Sequence, residues 1–153
     1  MTTAKKPYHF TECGLDNVYL LNGFHIHETE SGKGISFEDL EELHRAIALH
    51  LVRCDTHLSG KEFRFLRKEL DASQEMIARL FGVDAQSVAR WEKGQSDLKP
   101  LADRMIRLLY MEQILGNPKV KNLLDLVATL SEQGDGEPPK HFKYMDGEWR
   151  VAA

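Results

Sequence analysis

The strongest constraint on the fold is the segment of residues 73–94, which reads SQEMIARLFGVDAQSVARWEKG. Its pattern predicts two short helices, over residues 74–80 and 85–92. Each is preceded by a residue type that caps helix starts, namely Ser73 and Asp84. Gly82 lies in the turn between them, where a backbone with positive φ is expected, and Gly94 is well placed to end the second helix. The segment therefore predicts two short helices joined by one tight corner.

Small and apolar side chains are expected to pack these two helices together. They are Ile77, Ala78, Leu80, Val83 and Val88. Short helices that cross at a steep angle around a glycine turn form a helix-turn-helix. In that motif the second helix lies in the major groove of double-stranded DNA, with its N-terminal half toward the bases.

Four features of the segment recur together in a known family. They are Ser73-Gln74, the small Ala78, Gly82-Val83 in the turn, and Trp91-Glu92-Lys93-Gly94 at the end. On these residues the chain closely resembles the lambda-repressor/Cro-like family, also called the Xre family. The resemblance covers about residues 60–115 and implies a domain of four to five helices.

The resemblance also implies roles for individual residues. Ala85, Gln86 and Ser87 would begin the recognition helix. Gln86 and Arg90 lie four residues apart on one helix face, and glutamine pairs naturally with adenine and arginine with guanine. These two are therefore the predicted base readers. The predicted phosphate contacts, which position a domain without reading sequence, are Gln74, Lys93 and Lys61.

Each of these residues also has a simpler interpretation. A glutamine and an arginine on an exposed helix face are often solvated surface. Trp91 is expected in the core rather than as a platform for stacking, because proteins that read duplex DNA seldom need exposed aromatic residues. Five further basic residues are expected to form a solvated face: Arg64, Arg67, Lys68, Arg104 and Arg107.

The rest of the chain predicts a mainly α fold with small β additions. Residues 1–58 are expected to form a small α+β unit. Within it, residues 18–21 and 24–28 should pair as a hairpin through a type I′ turn at Asn22-Gly23. Residues 29–34 are expected to be a loop, Ser36 the cap of a helix over about 37–53, and residues 54–59 a linker.

Residues 59–131 are expected to hold the five-helix, lambda-repressor-like domain. Ser59 and Glu62 match a capping box that opens its first helix, which runs to about Leu70. Pro100 suits the first turn of a fourth helix that ends near Leu115, and residues 118–130 predict a fifth. Residues 132–153 should be a flexible segment followed by a C-terminal hairpin, with its turn at Asp146-Gly147.

The distribution of charge is compatible with a DNA-binding middle segment, although the whole chain carries −4. Residues 1–59 hold five Lys/Arg and nine Asp/Glu, a balance of −4. Residues 60–99 hold eight and seven, a balance of +1, and residues 100–153 hold seven and eight, a balance of −1. Charge placement matters more for DNA binding than the total.

Other classes of protein are poorly supported. No apolar run approaches the ~20 residues that span a bilayer, and no signal core follows the N-terminus, so we expect a cytoplasmic protein. The chain contains no catalytic constellation or phosphate-binding glycine loop, so we expect neither an enzyme nor a cofactor. Five residues could suit a metal, but their spacing matches no zinc motif: Cys13, His25, His27, Cys54 and His57.

The order of parts is similar to that of the MqsA-like antitoxins, in which a small N-terminal unit precedes an Xre-type domain. That resemblance is architectural and covers about residues 12–115. In that family an asparagine and an arginine four residues apart read the operator, and here Gln86 and Arg90 occupy those positions. The N-terminal zinc site of that family uses two CxxC pairs, which this chain lacks. A toxin would bind through the N-terminal unit.

Together these patterns predict a sequence-specific DNA-binding transcriptional regulator, a repressor that binds as a homodimer. The dimer contact is expected in the fourth and fifth helices of the domain or in the C-terminal hairpin. The alternative is an antitoxin that represses its own operon and binds a toxin protein, for which an acidic surface over residues 28–42 could meet a basic partner.

Overall fold

The computed structural model describes residues 6–116, 122 and 139–152. Its N-terminal strands are β1 (Tyr8–His9), β2 (Tyr19–Leu20), β3 (Phe24–Thr29) and β4 (Gly32–Phe37). Strand β1 pairs antiparallel with β2, and β3 pairs antiparallel with β4. The predicted hairpin between residues 18–21 and 24–28 is therefore wrong.

The Asn22-Gly23 pair makes a bend between two sheets rather than a hairpin turn. A type I′ turn needs positive φ at both central residues, and of this pair only Gly23 has it, at 78°. Strand β3 instead pairs with residues 32–37, for which the sequence predicts the end of a loop and the capped start of a helix. The partner is set by side chains, because Phe24 faces Phe37 and Ile26 faces Ile35 across the ladder. Such aromatic and β-branched pairs stabilise an antiparallel sheet.

Helix α1 (Leu40–Arg53) begins three residues later than predicted. Its cap is Asp39, whose side chain accepts a hydrogen bond from the Glu42 backbone N–H, and not Ser36. Ser36 belongs to β4, where its hydroxyl bonds the ring of His27 at 2.8 Å. Ser36 does not cap the helix because it is paired with His25 of β3 inside the sheet.

The next four helices agree with the predictions. They are α2 (Gly60–Glu69), α3 (Gln74–Phe81), α4 (Ala85–Lys93) and α5 (Pro100–Ile114). The capping box of α2 is complete, because Ser59 and Glu62 each bond the other's backbone N–H. Pro100 occupies the first turn of α5, as expected.

One hydrophobic core joins the N-terminal residues to these helices. Leu15, Ala48, Leu51 and Leu58 belong to the same buried cluster as Phe63 and the inner faces of α2–α5. Helix α1 packs against both α2 and α5. His44 of α1 also bonds Glu69 of α2 at 3.1 Å.

Residues 54–58 are fixed to α5 by two side chains. The buried Asp103 carboxylate accepts the Leu58 backbone N–H at 2.7 Å and Arg107 Nε at 2.6 Å. Arg107 in turn donates to the carbonyls of Cys54 and Thr56. The expectation that Arg107 lies on a solvated face is therefore wrong, because its side chain is only 16% exposed and its guanidinium bonds Asp103 and two carbonyls.

The C-terminal hairpin forms as predicted. Strand β5 (Phe142–Met145) pairs with β6 (Glu148–Val151), and Asp146 and Gly147 both have positive φ in the turn. The predicted fifth helix at 118–130 lies outside the described residues, except for Asn122. Within the described part of the chain, none of the helices is both long and apolar enough to cross a membrane.

Candidate nucleic-acid interface

Helices α3 and α4 are held in a fixed relation by a tight corner. Gly82 ends α3 with φ 68°, and the Val83 N–H bonds the Ala78 carbonyl at 3.0 Å. Asp84 then caps α4 by accepting the Ser87 backbone N–H at 2.7 Å. The positive φ predicted at Gly82 is thereby confirmed.

The same hydrogen bond affects the acid–base chemistry of the Asp84 cap. The Ser87 backbone N–H stabilises the charged carboxylate and lowers the pKa of Asp84 below its ordinary value. The Ser87 hydroxyl and the nearby charge of Arg90 act in the same direction. The cap therefore stays ionised well below neutral pH.

Helix α4 has one buried face and one exposed face. Val88 and Trp91 are buried, and the Trp91 ring packs edge-on against Phe63, with ring centroids 5.9 Å apart. Trp91 is thus a core residue, as predicted. Gln86 and Arg90 are exposed on the opposite face, and their side chains form no hydrogen bond with another described residue.

Ala85 and Ser87, the other two residues predicted at the start of the reading helix, are half-buried. They flank Gln86, so the exposed part of the helix start is narrow. The described residues of the N-terminal strands and of α1 leave the Gln86–Arg90 face open. A long side chain at position 86 or 90 can therefore reach outward from a rigid helix.

A buried ion pair fastens the far end of α4 to α2. Glu92 accepts from Arg67 Nε at 3.1 and 3.2 Å and from Arg67 Nη2 at 2.6 Å. Arg67 Nη1 also donates to the Ala72 carbonyl at 2.9 Å, just before α3 begins. Gln74 Nε2 approaches the same carboxylate at 3.3 Å. One network therefore joins α2, α3 and α4.

The expectation that Arg67 is solvated is wrong, and sequence reasoning missed this ion pair. A signal was present in the spacing, because Arg67 follows Phe63 by four residues and precedes Leu70 by three. That spacing places it on the apolar face of α2. A charged residue on such a face calls for a buried partner of opposite charge.

Helix α2 also approaches α4 closely at Gly60. A Cβ atom built on Gly60 would lie 1.9 Å from the Trp91 carbonyl oxygen and 2.9 Å from its carbon. Only glycine allows this approach, so residue 60 fixes how near the start of α2 lies to the end of α4. The sequence offered no indication of it.

The predicted phosphate contacts occupy different surroundings. Gln74 is half-buried at the start of α3, and Lys93 is exposed at the end of α4. Lys61 lies on α2 and forms an ion pair with Asp16 at 2.6 Å, so part of its charge is already neutralised. Lys61 and Lys93 line the same surface cleft, together with Arg64, Lys68 and the acidic Glu12 and Glu92.

The five candidate metal ligands are not assembled into a site. His25 bonds Glu38 at 2.8 Å and His27 bonds Ser36, while Cys13 and Cys54 are free thiols. In the described residues, no three histidine, cysteine or acidic side chains are grouped so that they could hold a metal ion.

Comparison with known proteins gives one match. A family model described as helix-turn-helix matches residues 63–108, which run from within α2 to within α5. Comparisons with curated proteins and with solved structures gave no significant match.

Proposed function

We propose, from the premise that residues 63–108 form a helix-turn-helix domain of the Xre type, that this protein is a sequence-specific transcriptional repressor. The domain supports binding to double-stranded DNA. The observation that carries the finer proposal is the open face of α4, where Gln86 and Arg90 are exposed while Val88 and Trp91 anchor the helix in the core. Binding, rather than catalysis, is the proposed activity.

In this proposal α4 enters the major groove with its N-terminal end toward the bases. Gln86 donates and accepts on the edge of an adenine, and Arg90 donates twice to a guanine. Gln74, Lys93 and Lys61 contact phosphates and set the register. To reach a phosphate, Lys61 must give up its exposed ion pair with Asp16, and Gln74 must give up its hydrogen bond to Glu92.

A homodimer is the proposed form that binds DNA. Two copies of α4 related by a two-fold axis would read half-sites about 34 Å apart on a near-palindrome. Because each copy neutralises several phosphates, affinity should fall steeply as salt concentration rises.

Arg90→Ala is expected to weaken binding to the preferred site by about 1–3 kcal/mol and to relax base preference at one position of each half-site. The operator is first obtained by selecting bound DNA from a random pool with the full chain. Repeating the selection with Arg90→Ala and Gln86→Ala should flatten different positions of the recovered consensus.

Two control variants distinguish recognition of bases from electrostatic attraction to the DNA phosphates. Lys93→Ala should weaken binding to all sequences alike and reduce the salt slope by about one for each phosphate that Lys93 neutralises. Arg53→Ala removes an exposed arginine of α1 and should change neither affinity nor preference. An unchanged consensus in the Arg90→Ala selection would show that Arg90 reads no base.

The alternative proposal is an antitoxin that represses its own operon. It is favoured by the acidic surface of the N-terminal unit, where Glu28, Glu30, Glu38, Glu41 and Glu42 are all exposed. Such a surface suits a basic protein, for example a ribonuclease toxin. A neighbouring gene whose product arrests growth alone, and is relieved by this chain, would support it. A stand-alone gene would contradict it.

A further inference from the structure

The N-terminal unit holds a short loop, residues 11–17, in a fixed position beside α2. The loop is closed at its base, because the Phe10 N–H donates to the Val18 carbonyl at 2.9 Å. Leu15, near the middle of the loop, is only 2% exposed and belongs to the hydrophobic core that includes α2–α5. The loop therefore cannot move away from the helix-turn-helix without taking Leu15 out of the core.

This loop brings negative charge to the helix-turn-helix. It contains Glu12 and Asp16 and no basic residue, and we call it the acidic loop. Asp16 Oδ2 lies 2.6 Å from Lys61 Nζ of α2. The Tyr8 hydroxyl donates a hydrogen bond to Glu12 and lowers the pKa of that carboxyl, so Glu12 is ionised at neutral pH.

The surface cleft beside the acidic loop is lined by four basic side chains as well as by Glu12. We call them the cleft cations, and they are Lys61, Arg64, Lys68 and Lys93. Lys93 follows Arg90 by three residues on α4, so these two side chains are neighbours on the helix surface. A duplex whose bases contact Arg90 would therefore carry its phosphates past the cleft cations, on the side where the acidic loop lies.

We propose that the acidic loop is an autoinhibitory element. It holds Asp16 on Lys61, where a DNA phosphate would otherwise neutralise the lysine, and so lowers the affinity for duplex DNA of any sequence. This inference rests on the DNA binding of the proposed function and adds a restraint on it from outside the helix-turn-helix.

The ion pair between Asp16 and Lys61 is open to exchange. The two side chains are 73% and 57% exposed, and water and salt weaken an exposed pair of this kind. A phosphate can therefore replace the carboxylate while the loop stays in place. The displaced carboxylate then gathers a counterion of its own, so Lys61 adds little to the salt dependence of DNA binding in the wild-type chain.

Asp16→Asn in the full chain tests the proposal, since it removes the charge and keeps the size of an exposed side chain. Affinity for a duplex of random sequence should rise by about 2–5-fold for each copy bound, the usual weight of an exposed ion pair. The salt dependence should steepen by about 0.9 for each copy, because Lys61 now releases a counterion. The consensus selected from a random pool should not change, because phosphate contacts carry no sequence information.

Two comparisons show whether Asp16 acts through Lys61. In a Lys61→Met background, Asp16→Asn should leave the affinity for DNA nearly unchanged, because no lysine remains to be released. Asp55→Asn makes the same change at an exposed aspartate that does not line the cleft, and it should alter neither affinity nor salt dependence.

An equal gain from Asp16→Asn with and without Lys61 would overturn the proposal, because Asp16 would then repel DNA only as a general negative charge. An equal gain from Asp55→Asn would overturn it for the same reason. So would an Asp16→Asn chain that binds random duplex no more strongly than the wild type.

The outcome for base reading is separate. If selection returns no consensus but Asp16→Asn strengthens binding only when Lys61 is present, the base-reading proposal fails and the autoinhibitory loop stands. If Arg90→Ala alters the consensus but Asp16→Asn changes nothing, base reading stands and the autoinhibitory loop fails. A chain that binds no duplex DNA contradicts both.

Discussion

Replacing Gly60 with alanine is expected to destabilise the folded chain by about 3 kcal/mol or more, the upper end of what overpacking costs. The added methyl group would lie 1.9 Å from the Trp91 carbonyl oxygen, which is backbone and cannot rotate away. The start of α2 and the end of α4 would have to move apart. The higher helix propensity of alanine, worth at most about 1 kcal/mol, cannot offset that movement.

The chain offers a matched control for this substitution. Gly34 lies in β4, and a Cβ atom there would meet nothing within 4 Å, with no positive φ to strain it. Urea unfolding should therefore show a much lower midpoint for Gly60→Ala and a nearly unchanged one for Gly34→Ala. Equal midpoints for the two variants would contradict the close approach of α2 to Trp91.

Glu92→Gln is the second substitution with a large expected effect, a loss of about 3–5 kcal/mol in the free energy of unfolding. The Arg67 guanidinium would keep its charge in a buried site after losing the Glu92 carboxylate with which it pairs at 2.6 Å. Glu41→Gln, at an exposed position in the first turn of α1, should change stability by less than about 0.5 kcal/mol.

A double variant tests whether Arg67 and Glu92 stabilise the fold as a charge pair or only by filling space. Replacing Arg67 and Glu92 together with methionine removes both charges and keeps comparable volume, so most of the lost stability should return. Stability measured by urea unfolding would then show strong non-additivity between the two positions. If the losses simply add, Arg67 and Glu92 do not act as a pair.

The helices could be predicted because their limits depend on residues that are close together in the sequence. The limits of helices α2–α5 are marked by residues that act on their near neighbours in sequence. Helix starts are marked by Ser59, Ser73, Asp84 and Pro100, and helix ends by Gly82 and Gly94. Strand pairing is not local. Asn22-Gly23 carries a genuine turn signal, but the match of Phe24 and Ile26 with β4 decides the partner.

The candidate site divides in the same way. The exposure of Gln86 and Arg90 followed from helical spacing and the positions of Val88 and Trp91. The need for glycine at position 60 could not be recognised, because it arises from the backbone carbonyl of Trp91, 31 residues farther along the chain. Arg67 and Glu92 are separated by 25 residues, and only the apolar face of α2 hinted that either charge was buried.

The attachment of residues 54–58 to α5 has a consequence for communication along the chain. A partner or small molecule that pulls this segment away takes the Leu58 donor from the buried Asp103 carboxylate and leaves Arg107 without its two carbonyl acceptors. Both side chains belong to α5, which also contributes Ala102, Ile106 and Leu109 to the core. Binding of a partner at residues 54–58 is therefore expected to disturb α5 without any contact to α4.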